Sequence, residues 1–502
     1  MESKSSALSG TSFTKKARKY TDYAIISGLS ARRGKRDFVA FADQELEITI
    51  EDTPENRVNA LGQIHAKNNI EDSYILTLES ELISVLSRME IQWVGFDKAK
   101  LSDIGLRIRR DIKKLEQEIY EIVGENININ SPKQLQTLFF ETLGIKPLRK
   151  NKTGYSVDVD VLEEIAKTHD VARLILEYRG LMKLSGTYVD GLMKSIDSRD
   201  GRIHTTYDSL GAATGRMSSN DPNLQNIPTG DGYAREIKEC FIPSAGNILL
   251  VADYSQVEIR VLAFLSKDAN LISAFQNGED IHTRTAKFLF DSVIARDEAI
   301  QKSETLDRHA PLAMTDTWKP TAEQRRIAKS VNFGVIYGIT GFGLAKTLDC
   351  NTWEAQKYVD AFYEKYPGVR IYYDELLENA RKNGYVETYF GRRRYIPGVN
   401  DANKTMRSIA EREAMNMPVQ GTAADMIKIA MIELDAKIRD KWLIGKMILQ
   451  VHDELVFDIP VSEKEIFEKM VRETMEWVLQ NTGEFLPIIV DISTGKNWAE
   501  AK

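Results

Sequence analysis

Cysteine is almost missing from this sequence. Cys240 and Cys350 are its only two, too few for a disulfide framework, a Cys-rich zinc site or a typical iron–sulfur cluster. A reducing, cytosol-like compartment is the simplest setting for such a chain. No run of about 18 apolar residues occurs, which excludes a membrane-spanning helix. No apolar stretch follows the basic start, so a secretory signal is not expected. An excess of positive charge is lacking too: 67 Lys+Arg against 74 Asp+Glu leave a net charge of −7. That excludes a histone-like coat on DNA. It does not exclude nucleic-acid binding, which depends on where the cations cluster. Low complexity is absent as well. With 42% hydrophobic, 28% charged and 9% aromatic residues, the chain is neither mainly disordered nor collagen-like. Its 502 residues suffice for several domains of about 100–200 residues, or for one multi-lobed enzyme framing a cleft.

Residues 1–36 cluster cations at Lys15, Lys16, Arg18, Lys19, Arg32, Arg33, Lys35 and Arg36, and residues 37–55 are acidic. We read this as an exposed arm and a small appended segment, in preference to a transit peptide. From about residue 73 the pattern is helical. Leu101, Ile104, Ile108, Leu115, Ile119 and Ile122 form one apolar stripe opposite Arg107, Arg109, Arg110, Lys113 and Lys114. Ser131–Pro132 can cap the next helix. A basic loop follows (Lys146, Arg149, Lys150, Lys152, Gly154), then a second long helical stretch over 159–195. Two long helices with a basic tip suit a clamp on a phosphate backbone. On this segment alone a solvated helical hairpin is the preferred reading. Residues 203–231 read as a long polar loop in which Arg216, Gln225 and Asn226 can donate to groove edges and sugar–phosphate atoms.

Two segments carry carboxylates. The apolar run from Leu249 stops at Asp253, after which the period turns helical through Val257, Val261, Leu262 and Leu265. Asp253 then faces a cleft at a strand end, or caps the helix. The apolar runs flanking His452-Asp453 read as a hairpin, with Asp453 and Glu454 crowding negative charge at its turn. Mg²⁺ is the natural cation for such a turn. His452 has no companion His or Cys at ligand spacing, which favours a positioning role. If Asp253 and Asp453 meet, they can hold two Mg²⁺ ions for phosphoryl transfer, with Glu454 beside them.

Arg325, Lys329, Phe333 and Tyr337 stand four apart and form one drifting helical stripe. Two cations suit a triphosphate, and an aromatic ring suits a base or sugar. Arg412, Asn416 and Gln420 repeat the spacing. They suit minor-groove acceptors, or polar capping near Pro418.

Together these stretches resemble the family A DNA polymerases, the bacterial DNA polymerase I type. The likeness runs from about residue 80 to the terminal Gly495-Lys496-Asn497-Trp498. It is carried by Ala213–Ser219, Asp221–Pro228, Ala252–Gln256, Asn332–Gly334, Asn416–Asp425 and Gln450–Val456. The resemblance implies an α+β right-hand fold with an antiparallel palm sheet, a helical thumb and helical fingers. The expected divisions are an appended segment of unknown role at 1–72 and a thumb-like region at 73–200. Palm follows at 201–265 and 401–502, with fingers at 266–400. It implies Asp253 and Asp453, with the Tyr254 carbonyl, as ligands of two Mg²⁺ ions (Mn²⁺ a substitute), and Glu454 as a helper. Arg325, Lys329 and His282 would hold the incoming triphosphate, with Gln256 nearby. Phe333 would lie against the sugar and disfavour dideoxynucleotides. Tyr337 would guard the template-base pocket, and Glu258 would exclude a 2′-hydroxyl. Arg216, Gln225, Asn226, Asn416, Gln420 and His452 would contact the duplex, with Arg412 close by.

The expected function is DNA-directed DNA synthesis from dNTPs on primer–template DNA, by a cytoplasmic, nucleoid-associated monomer. The stretch before the thumb is too short for the family's proofreading exonuclease domain, and no 5′-nuclease domain is seen. Neither exonuclease activity is therefore expected on this chain, and a separate exonuclease or replication factors would be partners. The stretch from His282 to Arg325 exceeds the family's pattern, which places an insertion near 291–322, read as a surface elaboration. The competing readings are a single-subunit RNA polymerase, which Glu258 argues against, a metal-dependent nuclease, and an inactive DNA-binding scaffold.

Overall fold

The computed structural model describes residues 74–151, 154–290, 319–480 and 486–502. The appended segment 1–72 and nearly all of the 291–322 insertion lie outside them. At the centre is a four-stranded antiparallel sheet in the order Lys446–Val451, Glu454–Pro460, Asn247–Tyr254, Val490–Gly495. Side chains alternate across a strand, and here the alternation serves two cores. Leu250, Ala252, Leu455 and Phe457 enter one, while Leu249, Val251 and Val456 enter the other. Burial on both faces is why the segment before Asp253 is an unbroken apolar run.

The first core joins the sheet to the helices Val257–Ser266, Lys404–Asp440 and Lys464–Gln480 and to the fingers helices. Among the latter, Ala322–Ile336 starts with a capping box: Thr321 Oγ1 accepts from Gln324 N at 3.2 Å, and Gln324 Oε1 accepts from Thr321 N at 2.9 Å. Lys404–Asp440 runs straight through Pro418. Asn416 and Gln420 are therefore mid-helix residues, and the capping alternative is overturned. Pro418 donates no backbone hydrogen bond and is buried within the helix.

The second core holds the thumb. Asp97 caps the helix Lys98–Val123, which ends at Gly124 with φ +79°. Leu101, Ile104, Ile108, Leu115 and Ile119 are all buried. The stripe then steps by four to Val123, leaving Ile122 56% exposed. Much of the opposite face is neutralised internally, with Arg107 on Asp103 and Glu236, and Arg109 on Asp190. The second helical stretch is segmented: Val159–Ala166, Asp170–Lys183, a wider π-turn at Leu184–Asp190, and Gly191–Ser195. The basic loop forms a ribbon pairing Lys150–Asn151 with Gly154–Tyr155, and Lys152 lies outside the described residues.

Two expectations are revised. The polar 203–231 segment contains strands at Thr206–Asp208 and Ser218–Asn220, and Ser219 Oγ, fully buried, accepts from Leu224 N at 2.9 Å. The helix Tyr74–Gln92, expected in the thumb, instead packs on Lys404–Asp440 and Lys446–Val451 through Leu82, Val85, Leu86 and Met89. A buried ionic cluster fixes it there. Glu79 binds Arg392 at 2.5 Å and Lys428 at 2.5 Å, and Arg392 Nε donates to Asp425 Oδ1 at 2.8 Å. Lys428 Nζ also donates to the Ser209 carbonyl at 2.8 Å.

Candidate active site

Strand register brings the carboxylates together. Asp253 lies directly opposite Glu454, so both side chains leave the same face of the sheet. His452, at φ +55°, turns the hairpin, and Tyr254 N donates to the Asp453 carbonyl at 3.2 Å. The N-cap of the next helix is Gln256, in a left-handed conformation. Asp253 is thus a strand-end carboxylate, and the capping alternative for it falls.

Burial, and then the nearby Asp453 charge, push the Asp253 carboxyl up to about 6. Burial raises that of Asp453 as well. Asp253 Oδ1 is buried without a hydrogen-bond partner. Glu454 is 1% exposed, accepts from Trp498 Nε1 at 2.6 Å and binds the Lys502 ammonium, which stands 3.6 Å from Asp253 Oδ2. Crowded anions, an orphaned oxygen and an ammonium already among them fit a divalent cation. Among the described residues no three His, Cys, Asp or Glu side chains form a closed metal cage. An open pair suits Mg²⁺, which keeps water and phosphate oxygens as ligands.

The stripe expected on Ala322–Ile336 is present and reaches the palm. Arg325 Nε donates to Asp280 Oδ2 at 3.0 Å. Lys329 is exposed, with its ammonium 6.0 Å from the Phe333 ring centroid. Tyr337 caps the helix and donates to Glu258 Oε2 at 2.9 Å, and Glu258 also accepts from Arg216. His282 differs from a phosphate-holding cation. It is 4% exposed, its ring lies 5.7 Å from that of Phe333, and burial pushes its imidazole down to about 4. Asn332 Nδ2 donates to His282 Nδ1 at 2.9 Å while its Oδ1 accepts from Thr285. His282 is a neutral ring whose proton sits on Nε2.

Gln225, Asn226 and His452 line the cleft beside the carboxylates. Gln225 Nε2 donates to Gln450 Oε1 at 2.9 Å. Asn226 and His452 are exposed. Gln420 bonds to Tyr337, and Asn416 Oδ1 is buried without a partner. Arg412 packs on Gly338, where φ is +62° and a Cβ would come within 3.1 Å of the Arg412 side chain. Gln256 Nε2 reaches Asp280 Oδ1 at 3.4 Å.

Sequence reasoning missed three residues here. Asp280 links Gln256 to Arg325. Burial raises its carboxyl, but hydrogen bonds from Thr283 and Arg325 outweigh this and bring it to about 2. Lys238 lies 4.5 Å from the Trp498 ring centroid, and burial pushes its ammonium down to about 8 despite Glu454. Lys502 stands four residues beyond Trp498, and that spacing, read as a turn of helix, was the one signal that could have found it.

Residues 98–500 match DNA polymerase family A, and the chain belongs to that family. DNA polymerase I of Lactococcus lactis subsp. cremoris is 43% identical over 434 residues, covering 86% of this chain and 46% of that protein. DNA polymerase I of Bacillus subtilis is 43% identical over 437 residues, covering 87% and 47%. This chain thus spans about half the length of the curated relatives it matches. The POL domain of Pol1 from M. smegmatis, in complex with DNA primer-template and dNTP, aligns with a TM-score of 0.82 at 34% identity, covering 96% of this chain and 82% of that one.

Proposed function

We propose that this chain extends the 3′ end of a primer on a DNA template, adding dNTPs by phosphoryl transfer. The observation that carries the reading is the junction of two surfaces. The Asp253/Asp453 end of the sheet meets the Arg325–Lys329–Phe333–Tyr337 face of the fingers helix through the Tyr337–Glu258 hydrogen bond. Polymerases of this family use divalent metal ions, generally Mg²⁺. Asp253, Asp453 and the Tyr254 carbonyl are the groups that would hold them, with Glu454 behind. Bound there, two such ions supply activation of the attacking oxygen and neutralisation of the leaving pyrophosphate.

The chain's own residues do the rest. Arg325 and Lys329 bind the triphosphate by charge, and His282 offers an Nε2–H donor. Phe333 flanks the sugar, and Glu258 occupies the space of a 2′-hydroxyl. Arg216, Gln225, Asn226, Arg412, Asn416, Gln420 and His452 position the duplex. Seating the fingers helix against Glu258 couples base-pair shape to reaction.

The test is extension of a labelled primer with Mg²⁺ and all four dNTPs, alongside Asp453→Ala and a mismatched primer end. Stepwise, template-directed extension lost in the variant supports the reading. Intact DNA binding without extension sinks it, and degradation without nucleotides points to the nuclease. Shortening of the mismatched primer would reveal proofreading on this chain.

A further inference from the structure

We propose that Lys502 is a resident counter-ion, holding the cation position between Asp253 and Glu454 when metal is absent and so setting how tightly the site takes a divalent ion. The proposal deepens the metal-binding reading of Asp253 and Asp453 and rests on it.

Geometry makes Lys502 the movable member of the group. Glu454 is 1% exposed and pinned by Trp498 Nε1 at 2.6 Å. Asp253 is fixed on a strand paired on both sides. The Lys502 side chain is 45% exposed, with its ammonium on Glu454 and 3.6 Å from Asp253 Oδ2. Lys238 cannot take its place while it lies over the Trp498 ring. Asp253 and Glu454 thus share one partly exposed ammonium, with the Asp453 charge close by.

An ammonium and a divalent cation cannot both occupy oxygens this close, since like charges at such separations repel strongly outside bulk water. The ammonium must therefore withdraw from Asp253 as an ion arrives, keeping Glu454 or turning into the cleft. Asp253 Oδ1, buried without a partner, is an oxygen that an ion can satisfy once the lysine gives way. Any metal affinity measured for this site is then the net of binding the ion and displacing Lys502.

Mn²⁺ alone is the probe, titrated without DNA or nucleotide and followed by the loss of free-ion paramagnetic resonance signal. Wild type, Lys502→Met, Lys502→Arg and Asp253→Asn are compared at neutral pH. Lys502→Met should lower the Asp253-dependent Kd about three- to ten-fold, while Lys502→Arg stays near wild type. The Mn²⁺-induced rise in Tm should grow in Lys502→Met, and a cooperative melt certifies its fold. Unchanged or weaker binding in Lys502→Met overturns the proposal, and an Asp253-dependent wild-type signal would leave the metal reading standing. If no variant shows Asp253-dependent binding, both fall.

Discussion

Tyr337 Oη donates a 2.9 Å hydrogen bond to Glu258 Oε2, tying the end of the fingers helix to the start of the palm helix. The same carboxylate accepts from Arg216. Residues assigned to the template pocket, the sugar and the duplex therefore share one hydrogen-bonded unit.

Removing its hub should be felt in selectivity. On the proposed function Glu258→Ala opens space at the sugar, and it leaves Arg216 and Tyr337 without their acceptor. The ratio of kcat/KM for deoxyribonucleotides over ribonucleotides should fall about ten- to hundred-fold, a loss of about 1–3 kcal/mol. Tyr337→Phe removes only one donor, so its effect should be near about 1 kcal/mol. Unchanged ribonucleotide exclusion in Glu258→Ala would remove Glu258 from that role.

Asp253→Asn should trade activity for stability. The folded carboxyl titrates at about 6, above the usual value near 3.9. Folding therefore takes up protons between those pH values, and this residue's contribution falls as pH rises through the window. Its side chain is 34% exposed, so screening cuts the expected gain at neutral pH to about 1 kcal/mol. Calorimetry without metal should show a higher Tm for the variant. Mg²⁺ should erase the difference by stabilising only the wild type, and primer extension should fall by about a hundredfold or more.

His282 carries the opposite sign. Its imidazole is held down at about 4 by burial, against about 6.5 when unfolded. The stability it confers is complete above the unfolded value and drains away as pH falls toward 4. His282→Gln should flatten the stability profile across that window by about 2–3 kcal/mol. Denaturant midpoints at several pH values would measure it, and parallel profiles would refute it.

Lys428→Met leaves Glu79 with Arg392 alone, and Arg392 also serves Asp425. Breaking a buried ionic group by removing one partner costs about 3–5 kcal/mol. Glu79→Gln should be milder, because the amide oxygen still accepts. Urea unfolding separates the two, and equal midpoints would argue against the cluster.

What the sequence disclosed follows from range. Asp253 was legible because an apolar strand stops there. The hairpin at His452 and Asp453 was legible from two apolar runs, and the Arg325-to-Tyr337 stripe from its spacing. All are local patterns. Register is not local, and only the pairing of Asp253 with Glu454 revealed that the two share a face. His282 entered only through the family resemblance, and its burial beside Phe333 and Asn332 leaves no trace in spacing. Glu79 drew no reading from the sequence because its partners lie more than 300 positions away.

The Glu79 cluster also bears on where this molecule can be cut. The family match starts at residue 98, and a fragment trimmed to that point would discard the helix Tyr74–Gln92. Arg392 and Lys428 would remain in the interior with Asp425 as their sole carboxylate, and the apolar groove that holds Leu82, Leu86 and Met89 would open to water. A piece that keeps this interior therefore starts no later than Tyr74, and an expression boundary drawn from the family match alone would discard a helix whose apolar face the sheet's core buries.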